Sequence, residues 1–213
     1  MSADAVLDDL HLTAFMSSKI CHDLVGPVGA INNGLELLDE ETDEQTRAYA
    51  LELIQFSANA ARARLEYARL AFGASTAIGS VIDLRHAEGI VRAFVEEGKH
   101  KLNWQVPPGN MEKNKARMMM MLLTVVMPSI PAGGDIVITM AGDLVRPHFT
   151  IRCSGRNARI PEGLPDMLAG KSAAVDPRSV IGYYTGRLAQ ACDMTLTVRK
   201  EGADIVFEAM PNP

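Results

Sequence analysis

The run Ser18-Lys19-Ile20-Cys21-His22-Asp23-Leu24-Val25-Gly26-Pro27-Val28 sets a histidine and an acid one helical turn ahead of a Gly-Pro step. Histidine is partly neutral near pH 7, and one ring nitrogen can be held by a hydrogen bond while the other reacts. His22 is therefore a candidate nucleophile, and Asp23 is an adjacent acid able to orient the ring or take its proton. A metal site shared by Cys21 and His22 is disfavoured, because adjacent helical residues diverge by ~100°. A lone histidine would read as an ordinary surface residue. The acid, the bare positions and the proline that follow set this one apart.

The element that positions His22 reads as a long helix. Leu7, Leu10, Ala14, Ser17, Cys21, Leu24, Val28, Ile31, Leu35 and Leu38 follow one another in steps of three and four, a heptad seam with one polar interruption at Ser17. His22 lies one position past the seam, so its ring is expected to face solvent. Pro27 lacks the N–H that would bond the Asp23 carbonyl, which predicts a loosened or bent helix beyond the histidine. Val25, Gly26 and Gly29 lie on the histidine's side of the helix, and the two glycines clear a surface for close approach of another protein. Lys19, three residues before His22, is placed to meet an anion or an acidic rim. His11, His86, His100 and His148 lack such neighbours and are assigned no role.

After Leu38, the acidic run Asp39 to Glu44 reads as a turn in which Thr42 or Asp43 caps the next helix. A second seam follows, through Leu51, Ile54, Ala58, Ala61, Leu65, Ala68 and Phe72. Residues 1–75 are thus expected to form an antiparallel helical hairpin. Its long apolar stripes predict a homodimer closed into a four-helix bundle.

The stretch Gly73 to Ser80 breaks the period and reads as a linker, and residues 80–213 then mix helix and strand. Helices are expected from Leu84 to Phe94, Arg117 to Val126 and Ser179 to Cys192. Strands are expected at Lys101 to Val106, Ile136 to Met140, His148 to Cys153, Thr195 to Arg199 and Ile205 to Met210, the last two as a hairpin across Gly202. The fold class is α+β, a helical hairpin followed by an α/β sandwich of three helices on a mixed sheet.

Composition narrows the partners. The chain has 213 residues, 47% of them hydrophobic, with a net charge of −5 and no basic stripe, so neither nucleic acid nor membrane is an expected partner. No apolar run approaches the ~18 to 20 residues of a membrane span, and the first residues lack a secretory pattern, so the cytoplasm is the expected compartment. Cys21, Cys153 and Cys192 are odd in number and far apart, which reads as reduced packing residues rather than a disulfide framework or a zinc site.

The string His22-Asp23-Leu24-Val25-Gly26-Pro27 resembles the H-box of sensor histidine kinases, His-Glu/Asp-Leu-Arg-x-Pro, with Val25 in the place of the family's Arg. The order of elements after it is similar to that family's Bergerat-type ATP-binding domain. The resemblance also marks what is missing. The family's asparagine-bearing helix becomes Arg117-Met118-Met119-Met120-Met121-Leu122-Leu123-Thr124-Val125-Val126, which offers no oxygen ligand for a hard cation, and its methionines read as core filler. The Asp-x-Gly-x-Gly motif becomes Cys153-Ser154-Gly155-Arg156-Asn157, and the last glycine-rich loop survives as Gly182 followed by Tyr183 and Tyr184. These losses imply a degenerate sandwich that binds no ATP.

A retained phosphoacceptor beside a degenerate ATPase-like unit is similar to the ChpT-type histidine phosphotransferases of bacterial phosphorelays. That resemblance implies that His22 accepts a phosphoryl group from the receiver domain of a hybrid histidine kinase. It then passes the group to response regulators of the CtrA and CpdR type in cell-cycle control. It also implies no cofactor of the chain's own, the Mg²⁺ being supplied by the partner receiver, with docking on Lys19, Val25, Gly26 and Gly29. The alternatives are an active soluble histidine kinase, which requires ATP binding, and a pseudokinase scaffold, which does not require His22.

Overall fold

In the computed structural model, residues 7–40, 43–73, 80–171 and 175–213 are described. α1 spans Asp9–Asp39 and α2 spans Glu44–Phe72, and the two pack as an antiparallel hairpin. Each start is capped by an aspartate: the Asp8 carboxylate accepts from the His11 amide, and that of Asp43 from the Thr46 amide. Of the two capping candidates, Asp43 does the work, and Thr42 lies outside the described residues.

The most deeply buried residues of the hairpin lie beside the expected seams, which stay partly open. α2 buries Ala50, Ser57, Ala60, Tyr67 and Ala71, and α1 buries Pro27 and Gly34 against it. Gly34 marks the tightest approach, since a Cβ there would stand 2.6 Å from Ile54 Cγ1 and 3.2 Å from the Ala50 carbonyl oxygen. Leu10, Val28, Leu35, Leu51 and Leu65, all on the expected seams, are exposed. Both helices carry two neighbouring stripes at three-four spacing, and the small-residue stripe lets the backbones come close. The bulkier one is left facing outward.

The second unit begins with β1 (Val81–Asp83), α3 (Leu84–Val95), β2 (His100–Gln105), β3 (Asn110–Glu112) and α4 (Lys113–Val126), followed by a 3₁₀ turn at Met127–Ser129. It continues with β4 (Gly134–Gly142), β5 (Pro147–Ser154), α5 (Leu164–Leu168), α6 (Val180–Ala191), β6 (Met194–Glu201) and β7 (Asp204–Pro211). The five-stranded sheet runs β2-β4-β5-β7-β6, with β2 parallel to β4 and the remaining pairs antiparallel. Strand alternation sends Ile136, Ile138, Phe149, Ile151, Cys153, Ile205, Phe207 and Ala209 into the core at full burial. Met118 to Met121 of α4 are equally buried, so the methionines are core filler as expected.

A strand ribbon and a short helix escaped the sequence reading. β1 and β3 form a two-stranded antiparallel ribbon pairing Ile82 with Met111, and its ends cap two helices. Asp83 accepts from the Arg85 amide at the start of α3, and Glu112 from the Asn114 and Lys115 amides at the start of α4. α5 is the other, a short helix lying on α6.

Two buried polar contacts tie the hairpin to this unit. Tyr67 stacks on Phe94 with ring centroids 4.2 Å apart, and its hydroxyl donates to the Met120 carbonyl at 2.6 Å and meets that of Thr124. Burial pushes the Tyr67 phenol well above its ordinary range, so it stays a neutral donor. Arg117 donates from Nε to the Ala71 carbonyl at 2.7 Å, satisfying one of the carbonyls left open at the end of α2. The expected linker falls mostly on residues 74–79, outside the described set.

Candidate functional site

His22 projects from the middle of α1 with its side chain 84% exposed. Asp23, the next residue, turns toward α2 and the α/β unit, where its side chain is 33% exposed. The gap from His22 Nδ1 to Asp23 Oδ1 is 3.7 Å, beyond hydrogen-bond reach. Lys19 occupies the carboxylate instead. Its Nζ donates to both Asp23 oxygens, at 2.6 Å to Oδ2. The orienting contact expected between Asp23 and His22 is therefore not formed here, because a lysine one turn back holds the carboxylate. Lys19 is half-buried and paired within its own helix, so it faces inward rather than toward an incoming partner.

Pro27 is buried inside a helix that runs on to Asp39. The Asp23 carbonyl that it leaves without an N–H is not open to water: Arg64 of α2 donates to it from Nη1. The same guanidinium reaches across to Glu97, just past α3, donating from Nε to Oε2 at 3.0 Å and from Nη2 to Oε1. The fork thus joins α1, α2 and the α/β unit at the residue after His22. Nothing in the local sequence announces it. Arg64 lies 41 residues from Asp23 and 33 from Glu97.

On the other side of α1 the surface is clear. Val25 is 68% exposed, and a Cβ added at Gly26 or Gly29 would meet nothing within 4 Å. His22, Val25, Gly26 and Gly29 thus form the outward set, and Lys19 and Asp23 the inward one. The inward pair opens on a cleft of about 930 Å³ between hairpin and α/β unit, whose walls include Arg64, Phe94, Thr124, Val125 and Ile181.

The positions that resemble the kinase nucleotide motifs serve packing, and of them Gly182 lines this cleft. Gly182 and Gly186 of α6 face α5: a Cβ at Gly186 would stand 2.4 Å from the Met167 carbonyl oxygen, and one at Gly182 would stand 3.3 Å from Leu164 Cδ1. Their bareness serves helix packing. Tyr183 is fully buried. Cys153 is a core residue, and Gly155 closes on the Gly133 carbonyl, 2.5 Å from where its Cβ would be. Among the described residues, no three His, Cys, Asp or Glu side chains gather at metal-binding distance, and no helix is long and apolar enough to cross a membrane. His11 pairs with Asp8 at 2.6 Å in the α1 cap, and His100 contacts the Ile130 carbonyl at 3.2 Å.

A helical hairpin carrying an exposed histidine, joined to a sandwich of this topology, defines a class, and comparison with known proteins agrees. Residues 84–204 match the histidine phosphotransferase C-terminal domain family, and the chain belongs to that family. It is 36% identical to the protein phosphotransferase ChpT of Brucella abortus (strain 2308), over 98% of this chain and the whole of that one. A solved bacterial phosphotransferase superposes with a TM-score of 0.87 at 35% identity, covering 98% of this chain and 100% of that one.

Proposed function

We propose that the chain is a phosphorelay intermediate: His22 takes a phosphoryl group from the receiver aspartate of a hybrid histidine kinase and delivers it to the aspartate of a response regulator. The exposure of His22 beside bare Gly26 and Gly29 carries this reading, because a receiver must bring its acyl phosphate within bonding distance of the ring. The family's phosphotransferase identity supports it. The Nδ1 edge of the ring is the one nearest Asp23, so Nε2 is the nitrogen to attack. Its lone pair forms the N–P bond in line as the P–O bond to the receiver carboxylate breaks, and the carboxylate leaves with the electron pair. The second transfer reverses this on another aspartate. Such steps need positioning and charge neutralisation, and the receiver brings its own Mg²⁺ and lysine.

The α/β unit, on this reading, holds no nucleotide. Val125 stands in the cleft wall, Gly182 and Gly186 lie under α5, and Cys153 is in the core. The outward stripe of the hairpin supports a homodimer, and the regulators served are those of cell-cycle control.

The test is transfer from a purified phospho-receiver. His22→Ala is expected to abolish acquisition of an acid-labile, alkali-stable label while changing stability by no more than about ±0.5 kcal/mol, as for other exposed sites. Asp23→Asn should slow transfer yet retain labelled histidine. Label retained by His22→Ala would end this assignment, and ATP-dependent labelling without a donor would return the chain to the kinases.

A further inference from the structure

We infer that Arg64 and Glu97 are positioning residues for phosphotransfer, acting through the backbone of the His22–Asp23 turn. The inference rests on the His22 reading and adds a device to it.

The logic begins at Pro27. An uninterrupted helix would hold the Asp23 carbonyl with the amide of residue 27, and proline removes that donor. The peptide unit between Asp23 and Leu24, one residue past the nucleophile, therefore loses its intrahelical restraint. Arg64 supplies a replacement from outside the helix, and does so with a group anchored twice more on Glu97. Arg64 and Glu97 are 30% and 16% exposed, so the pair is shielded enough to be more than a surface ion pair. Lys19 holds the Asp23 side chain, so both ends of the residue after the nucleophile are fixed. The consequence is geometric: the ring that must meet a phosphorus in line is carried on a helix whose next residue is clamped to the α/β unit as well. A misplacement near 1 Å at such a centre costs about a hundredfold in rate.

A merely structural role would predict something different. If Arg64 only satisfied a stranded carbonyl, Glu97 would be dispensable, and returning an amide at position 27 would make Arg64 dispensable too. The experiment uses the full chain with Glu97→Ala, Arg64→Ala, Arg64→Lys, Pro27→Ala and the Pro27→Ala/Arg64→Ala pair. Three readouts are followed: single-turnover transfer from a phospho-receiver over a range of receiver concentrations, labelling of His22 by phosphoramidate, and the thermal midpoint.

Glu97→Ala is expected to lower the limiting transfer rate about tenfold to a hundredfold. The half-saturating receiver concentration should stay within about twofold, and phosphoramidate labelling, which needs no docked geometry, should be unchanged. Arg64→Lys should not restore transfer, since an ammonium cannot span a carbonyl and both carboxylate oxygens. In the Pro27→Ala background, loss of Arg64 should cost less in thermal midpoint but as much in transfer. Wild-type transfer by Glu97→Ala, or full transfer by the Pro27→Ala/Arg64→Ala pair, would overturn the inference. Failure of phosphoramidate to label His22 in the wild type would instead overturn the His22 reading beneath it.

Discussion

His22 and Asp23 are neighbours in sequence, yet the ~100° between successive helical residues sends one to solvent and the other into the cleft. The acid beside the histidine is engaged by Lys19, so its effect on the ring is that of a nearby, partly compensated charge rather than a made hydrogen bond. Among the cysteines the same contrast of outward and inward residues is measurable. Burial pushes the Cys153 thiol up to about 12, with the Asp204 charge adding to it, and burial with the Glu112 charge pushes Cys192 up to about 11. A raised thiol pKa keeps the unreactive, protonated form, so at pH 8 their thiolates amount to only about one part in ten thousand and one in a thousand. Iodoacetamide followed by peptide mapping should therefore find both slow at pH 8. Cys192 should gain about tenfold per pH unit toward pH 10 and lead Cys153 throughout. Equal rates would mean that the core around Cys153 opens to solvent. The residues of the candidate site divide by range: the outward set of His22, Val25, Gly26 and Gly29 was legible because helical spacing puts them on one side. Arg64 and Glu97 were not, because only the packing of three elements brings them together.

At the scale of elements, the long helices, their open apolar seams and the sheet strands were legible from their periods, and the residues that pack between the two helices were not. Three-four spacing fits both the stripe through Ala50, Ser57, Ala60 and Tyr67 and the one through Leu51, Ala58 and Leu65, and spacing alone does not say which of the two packs between the helices. The hairpin uses small residues, because close helices gain more dispersion contact along their whole length than leucines separated by wide backbones. Three-residue strands such as β1 and β3 are too short to show alternation at all. The glycines of α1 turn this into a test. Gly34→Ala forces a Cβ to 2.6 Å from Ile54 Cγ1, an overpacking that costs about 1 to 3 kcal/mol against a gain of about 1 kcal/mol in helix propensity. Gly29→Ala meets nothing and should gain up to about 1 kcal/mol, whereas a Cβ at Gly26 would crowd the Pro27 ring; the Gly29 methyl also lands on the face beside His22. Thermal unfolding should rank Gly29→Ala above wild type and Gly34→Ala below it, while receiver-dependent transfer should fall for Gly29→Ala. A Gly29→Ala protein that transfers at the wild-type rate would remove that face from the docking surface.

Among the described residues, the hairpin of the whole molecule leaves a long apolar stripe exposed. Ala14, Cys21, Val28 and Leu35 recur at intervals of seven along α1, as do Leu51, Ala58 and Leu65 along α2, and all are exposed in the single chain. Strict heptads of apolar residues on two adjacent helices are the pattern of a coiled-coil face, and a two-fold axis would pair each stripe with a copy of itself or its neighbour. Such an arrangement places the two His22 side chains on opposite outer faces, since the histidine lies off the heptad line that the second copy would cover. A homodimer closed in this way should show in sedimentation at micromolar concentration. Val28→Glu combined with Leu65→Glu should yield a folded monomer, because both sites are about half-exposed on the single chain and contribute little to its own core. Cys21 sits on the same line and reports directly: its alkylation should quicken on dilution of the wild type, and should be fast at every concentration in the double variant. A wild-type chain that sediments as a well-folded monomer at micromolar concentration, with Cys21 alkylated at one rate throughout, would leave this stripe without a second copy and defeat the dimer.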